Sequence, residues 1–234
     1  MRRLLLAPHP DDAVWSCGGM LARWCREGEL TVVTVFDGDG DGDGDGRLTG
    51  RSAAPRRAED TAALGRWPLR AVRLGLPEAT LRHDGGGRAL YPGPLALRRA
   101  PHPLDAPLAE RLAALLAPLT GACDELLLPL GVRTHADHRL VRDAAERSLG
   151  TSPRGALPRV RHYREFPYAP PPPPGGYEER TEPADFGDWL RGSLVYESQV
   201  RGMFGGAPAF ARALARHTGA PRRCAWGYWT QAAT

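Results

Sequence analysis

Two short, continuous apolar runs flank one amphipathic segment at the start of the chain, and this pattern limits the fold more than any other feature. Leu4–Ala7 is apolar, is closed by Pro8, and reads as a buried strand. Cys17, Met20, Leu21, Trp24 and Cys25 then recur at helical spacing, and Gly28 stops the helix. Leu30–Phe36 (LTVVTVF) is rich in β-branched residues and unbroken, as expected of a strand covered on both faces. Strand, helix and strand in the first 36 residues predict a βαβ unit, and so an α/β protein with a parallel sheet.

The alternation continues. Arg56–Trp67 reads as a helix and Ala71–Leu76 as a strand. Residues 82–103, rich in Gly, Pro and Arg, read as a long excursion. Leu104, Leu108, Leu112, Leu115, Leu116 and Leu119 form a helical stripe, Glu125–Leu130 (ELLLPL) a buried strand, and His138–Leu149 a helix. Arg159–Tyr168 alternates like a strand, Trp189–Phe204 and Pro208–His217 read as helices, and Cys224–Trp229 as a last strand. No linker divides these elements, so residues 1–234 are expected to form one domain, with the proline-rich loop 170–176 inside it.

Composition narrows the partners. Net charge is +4 and every one of the 31 basic residues is Arg. The pairs Arg56-Arg57, Arg98-Arg99 and Arg222-Arg223 are scattered, without the basic patch and aromatic platforms of a nucleic-acid binder. No apolar run approaches the roughly 20 residues that span a bilayer. The apolar start ends at Pro8, too short for a signal peptide core, and a cytoplasmic location is expected. Cys17, Cys25, Cys123 and Cys224 show no CxxC spacing and read as free thiols. The Asp-Gly repeat of residues 37–46 lacks the Glu of a calcium loop, since Leu48, Gly50 or Ser52 occupies the twelfth position; it reads as a mobile loop.

Two segments concentrate His and Asp: His9-Pro10-Asp11-Asp12 after the first strand, and His135-Ala136-Asp137-His138 after ELLLPL. In open α/β sheets ligands bind beyond the carboxyl ends of strands, so both segments are expected on one edge. Every His and Asp in them is a candidate zinc ligand. In one assignment His9, Asp12 and His138 supply two imidazoles and a carboxylate and leave a position open for water, with iron(II) suited nearly as well. Asp11 then stands beside that water as general base. His135 stabilises an oxyanion or protonates a leaving amine, and Asp137 holds the tautomer or charge of His135. Simpler readings compete: Asp11, Asp12 or Asp137 as helix caps, and His135 with His138 as a surface pair.

The segment Pro8-His9-Pro10-Asp11-Asp12-Ala13, with Ser16-Cys17-Gly18-Gly19 behind it, resembles the signature of the LmbE-like or PIG-L zinc deacetylases. His135-Ala136-Asp137-His138 is similar to that family's second motif. The resemblance covers most of residues 1–150 and continues more loosely through residues 163–168 and 196–199. It implies a Rossmann-like three-layer sandwich with a mostly parallel sheet. It also implies hydrolysis of N-acyl, chiefly N-acetyl, groups on amino sugars or glycosylated small molecules. By position it gives the metal to His9, Asp12 and His138, the base to Asp11, and the electrostatic or acid role to His135. Arg56 and Glu59 resemble a family R-x-x-E helix whose Arg reaches substrate, against the simpler reading of an exposed helical pair. Glu78 stands where relatives carry an Asp near sugar hydroxyls. Ala13 departs from the Glu of many relatives, and zinc binding is expected to survive that change.

The expected function is therefore metal-dependent N-deacetylation, with the Arg-only, Gly- and Pro-rich composition pointing to an actinobacterial natural-product pathway. One rival is an amidase of the same mechanism acting on a thiol conjugate or other small amide. Another is a non-catalytic Rossmann-like binding module, against which the first turn lacks a G-x-G-x-x-G.

Overall fold

A computed structural model describes residues 1–39, 53–131, 135–150, 157–168 and 175–231. The first apolar run forms β1 (Arg2–Ala7), and the amphipathic segment forms α1 (Asp12–Glu27). There follow β2 (Glu29–Thr34), α2 (Ala54–Leu64), β3 (Arg70–Arg73), a short α3 (Pro94–Leu97), α4 (Ala106–Thr120), β4 (Glu125–Pro129) and α5 (Ala136–Gly150). The last third adds β5 (Arg159–Tyr163), β6 (Tyr177–Pro183), α6 (Phe186–Ser193), α7 (Glu197–Phe204), α8 (Ala207–Thr218) and β7 (Ala225–Gln231).

The strands form one sheet in the order β3-β2-β1-β4-β5-β7-β6. β1 to β5 run parallel, and β7 pairs antiparallel with both β5 and β6. Strand periodicity of two divides the core. Leu5, Ala7, Val32 and Leu127 face a layer built by α1, α2, α6, α7 and α8. Leu4, Leu6, Val33, Leu126 and Leu128 face α4 and α5. The unbroken apolar character of β1, β2 and β4 follows from this double burial. The result is the expected three-layer α/β sandwich with a mostly parallel sheet.

Several expected boundaries shift for physical reasons. The helix expected over 189–204 is two helices, broken at Tyr196, whose backbone (φ −82°, ψ 61°) leaves the helical region so that its ring is fully buried and its hydroxyl reaches Asp60. The strand expected over 159–168 ends at Tyr163. Beyond it Phe166 N–H donates to Ser16 Oγ at 3.2 Å instead of to a ladder partner. β3 ends at Arg73, although Leu74 N–H and Leu76 N–H still donate to Thr34 and Val35. β6 (YEERTEP) carries charge along an edge and has no apolar alternation to reveal it. Cys17 is buried, and Cys25 and Cys224 are half-buried free thiols. Residues 40–46 of the Asp-Gly repeat and the prolines 170–174 lie outside the described residues. Among the described residues no helix is long and apolar enough to cross a membrane.

Gly18 and Gly19 let α6 lie directly on α1. A Cβ on Gly19 would stand 2.5 Å from Cε3 of the buried Trp189, and one on Gly18 2.8 Å from its Cδ1. The two tryptophans lock this contact: Trp189 Nε1–H donates to Trp15 O at 2.9 Å, and Trp15 Nε1–H to Ser193 O at 3.3 Å. Gly→Ala in a helix interior ordinarily stabilises by about 1 kcal/mol, whereas overpacking costs about 1–3 kcal/mol. Trp189 is held by a hydrogen bond and cannot retreat, so Gly19→Ala is expected to lower the melting temperature by about 2–8 °C in a thermal unfolding scan.

Candidate active site

The chain builds β1, β2 and β3 outward on one side and returns to place β4 against the other flank of β1. Strand order thus reverses between β1 and β4, where an open parallel sheet leaves a crevice at its carboxyl edge. The loop after β1 carries His9, Asp11 and Asp12. The loop after β4 leads into α5 with His135, Asp137 and His138.

Asp12 is the meeting point. Its Oδ2 lies 3.3 Å from His9 Nδ1 and 3.4 Å from His138 Nε2, and accepts His9 N–H at 2.9 Å. One donor atom from each of His9, Asp12 and His138 lies within 4.8 Å of the others, and all three residues are buried. Each imidazole is held from behind by a carboxylate: His9 Nε2 by Asp137 Oδ2 at 2.9 Å, and His138 Nδ1 by Glu165 Oε1 at 2.6 Å. Carboxylate, imidazole and open donor atom in series is how proteins orient metal-binding histidines. Burial alone lowers the pKa of both rings. The hydrogen bonds from Asp12 and Asp137 overcome this and push His9 up to about 10, and the charges of Asp12 and Glu165 raise His138. The pocket draws a cation, and its two imidazoles and one carboxylate fit Zn2+, with iron(II) satisfied by the same donors. His9, His135 and Asp137 form a second group of suitable atoms. There Asp137 is already engaged by His9, by Ala79 N–H at 2.9 Å and by Arg82 NH1 at 2.7 Å.

Asp11 is the one described non-glycine residue with positive φ (φ 105°, ψ −40°), a backbone state that costs about 1–3 kcal/mol and persists where surroundings enforce it. It stands at the N-cap of α1, yet its side chain makes no cap hydrogen bond. Its carboxylate turns instead toward Arg56, 3.5 Å away. Burial pushes the Asp11 carboxyl up to about 7, against the opposing charge of Arg56. Asp12 is no cap either, since its oxygen faces the imidazoles.

His135 Nδ1 accepts the N–H of Asp137 at 3.2 Å, which leaves Nε2 to carry the proton of the neutral ring. Burial and then the neighbouring His9 lower its pKa to about 3. The charge of Asp137 does act on His135, raising its pKa against burial, but the expectation that its carboxylate holds the His135 tautomer is corrected. Its carboxylate stands 3.6 Å from His135 Nδ1 and bonds His9, so the backbone of Asp137, not its side chain, sets the His135 tautomer. Nor is Asp137 a helix cap, since its oxygen serves Ala79 across the site.

Arg56 and Glu78 meet at 3.0 Å in the lining of the same cleft, and Arg56 also donates to Pro10 O at 3.3 Å. Burial raises the pKa of Glu78, but the charges of His9 and Arg56 outweigh it and hold the carboxyl below its usual range. Glu59 does not pair with Arg56. It accepts Ser198 N–H and Oγ–H, both at 2.7 Å, at the start of α7. Trp15, Phe166, Tyr168 and Met203 complete an open cleft that is also lined by His9, Asp11, Asp12, His135, Arg56 and Glu78. Of the residues singled out from the sequence, His9, Asp11, Asp12, Arg56, Glu78 and His135 line the cleft, Asp137 and His138 bond or face them from behind, and Glu59 stands apart. Glu165 was assigned no role in the sequence. Its one signal was a charged residue just past a strand end on the same sheet edge.

A cluster of this donor type at the switch point defines an α/β protein with a mononuclear metal pocket. The family model described as PIG-L, GlcNAc-PI de-N-acetylase, matches residues 4–149, and the chain belongs to that family. It is 32% identical over 176 residues to 2'-N-acetylparomamine deacetylase of Streptomyces fradiae, a match covering 72% of this chain. The chain spans 58% of the length of that relative. Its fold is similar to the zinc-inhibited form of teicoplanin deacetylase Orf2 (TM-score 0.80, 22% identity, 98% and 97% of the two chains). It is also similar to the A40926 pseudoaglycone deacetylase (TM-score 0.71, 22% identity, 100% and 99%).

Glu165→Gln keeps an acceptor for Gly131 N–H, which Glu165 bonds at 2.9 Å, but removes the charge behind His138. Chelator competition is expected to show zinc affinity about 10–100-fold weaker in this variant; unchanged affinity would remove Glu165 from the site.

Proposed function

We propose that the protein is a zinc-dependent N-deacetylase that hydrolyses the N-acetyl amide of an amino sugar on a glycosylated small molecule. The observation that carries this reading is Asp11, a strained and buried carboxyl facing the same cleft as His9, Asp12 and His138. These three residues would hold the metal. When bound, zinc supplies a Lewis acid that acidifies water toward a pKa of about 7 and polarises the amide carbonyl.

The remaining work falls to the chain's own groups. Asp11 takes the proton of the attacking water and returns it to the departing nitrogen, a role suited to a carboxyl titrating near neutrality. His135 donates from Nε2–H to the carbonyl oxygen as it gains charge; its neutral state and fixed tautomer support this role over that of proton donor to the amine. Arg56 and Glu78 offer a donor and an acceptor to sugar hydroxyls in the same cleft. Trp15, Phe166 and Tyr168 keep water from the acyl side. Family membership and the likeness to a paromamine deacetylase support an N-acetylated amino sugar in antibiotic biosynthesis as substrate. We take residues 1–234 as one catalytic domain acting on a small molecule in the cytoplasm.

The test is acetate release from a panel of N-acetylated amino sugars and glycosides by metal-replete protein. Asp11→Asn is expected to lower kcat by about 10²–10⁴-fold. It should keep zinc and leave melting temperature equal or higher, since Asn tolerates positive φ and carries no buried charge. Arg56→Ala is expected to raise KM more than it lowers kcat. No acetate from any substrate, or full activity in Asp11→Asn, would refute the reading.

A further inference from the structure

The excursion at 82–105 belongs to neither helical layer, yet it places a buried arginine behind the metal pocket. Arg82 Nε lies 2.9 Å and NH2 3.2 Å from the two oxygens of Asp105, and Tyr91 Oη–H donates to the same Asp105 carboxylate. NH1 donates to Pro77 O at 3.1 Å and lies 2.7 Å from Asp137 Oδ1. Asp137 Oδ1 has no well-directed hydrogen bond, so that last contact is an ion pair. The guanidinium is held between two rings, 5.4 Å from the Phe36 centroid and 5.2 Å from that of Tyr91. Arg82, Asp105, Asp137 and Tyr91 are all buried.

Asp137 therefore has its two oxygens divided: Oδ2 serves His9 Nε2 and Ala79 N–H, while among the described residues Oδ1 meets Arg82. A fully buried carboxylate without that cation would turn or recruit water, and the His9 ring would lose its fixed orientation. We propose that Arg82, clamped by Asp105 and Tyr91, is a positioning residue that holds Asp137 and through it the His9 ring for the metal. The excursion is then a support of the metal site and not only a wall of the cleft. This rests on His9 being a metal ligand, as proposed above.

The test measures zinc dissociation constants by chelator competition, beside melting temperatures, on the full chain. Arg82→Met is expected to weaken zinc about tenfold, and Asp137→Asn about 10–100-fold. Arg82→Lys should recover part of the loss, because an ammonium can face Asp137 but cannot also grip Asp105. Arg82→Met added to Asp137→Asn should weaken zinc no further, since the two act in series. Glu125→Gln is the control: it breaks a buried ion cluster with Arg3 and Arg161 at the far end of the sheet, and should lower stability with unchanged zinc affinity. Arg82→Met with a lowered melting temperature and wild-type zinc affinity would overturn the proposal. If Arg82→Met does not fold, Tyr91→Phe decides: a few-fold weakening supports it, and unchanged affinity overturns it. Wild-type protein that takes up no zinc would instead refute the metal site itself.

Discussion

One carboxylate oxygen, Asp12 Oδ2, faces two imidazole nitrogens at 3.3 and 3.4 Å in a buried pocket, and the surrounding architecture serves that contact. His9 arrives on the loop after β1 and His138 on the helix after β4, so the contact depends on those two strands being neighbours. Their adjacency follows from the sheet's reversal of order, which in turn follows from apolar runs able to be buried on both faces. Behind the rings stand Asp137 and Glu165, which fix the nitrogens that face Asp12. Carboxylates so concentrated in a low-dielectric pocket are tolerable only beside cations. Arg56 and Arg82 supply two, and the space between His9, Asp12 and His138 suits a third.

The layer of α1 and α6 holds the other half of the site in place. Gly18 and Gly19 admit Trp189, and the reciprocal indole bonds fix where α6 ends. The chain then breaks at Tyr196, whose hydroxyl donates to Asp60 at 2.8 Å. Asp60 also accepts from Thr34 and pairs with Arg73. Arg56, which faces Asp11 at 3.5 Å, and Glu59, which accepts from Ser198, both stand on α2 and so link Asp11 to the start of α7, which brings Gln199 and Met203 to the cleft.

Much of this was legible in residue order. The apolar runs announced parallel strands, and His-x-Asp-Asp and His-x-Asp-His announced a site at their ends because both lie at strand-to-helix junctions. Arg56 and Glu78 were legible only through family resemblance, since nothing local distinguishes Arg56 from Arg57, which turns instead to Asp37 O. Roles that depend on a partner far away in sequence were not legible. Asp137 was read against its neighbour His135, but its partner is His9, 128 positions away. Glu165, Arg82, Asp105 and Asp60 carry no local pattern, because a buried charge is specified by what folds around it. β6 escaped notice for the opposite reason: a charged edge strand buries little and so has no hydrophobic period to detect.

The proposed function requires one metal ion among His9, Asp12 and His138. Anomalous diffraction at the zinc edge from crystals of metal-replete protein tests it most directly. One strong peak is expected about 2.0–2.2 Å from His9 Nδ1, an Asp12 oxygen and His138 Nε2. A peak instead among His9 Nε2, His135 and Asp137, or none at the sheet edge, would contradict it.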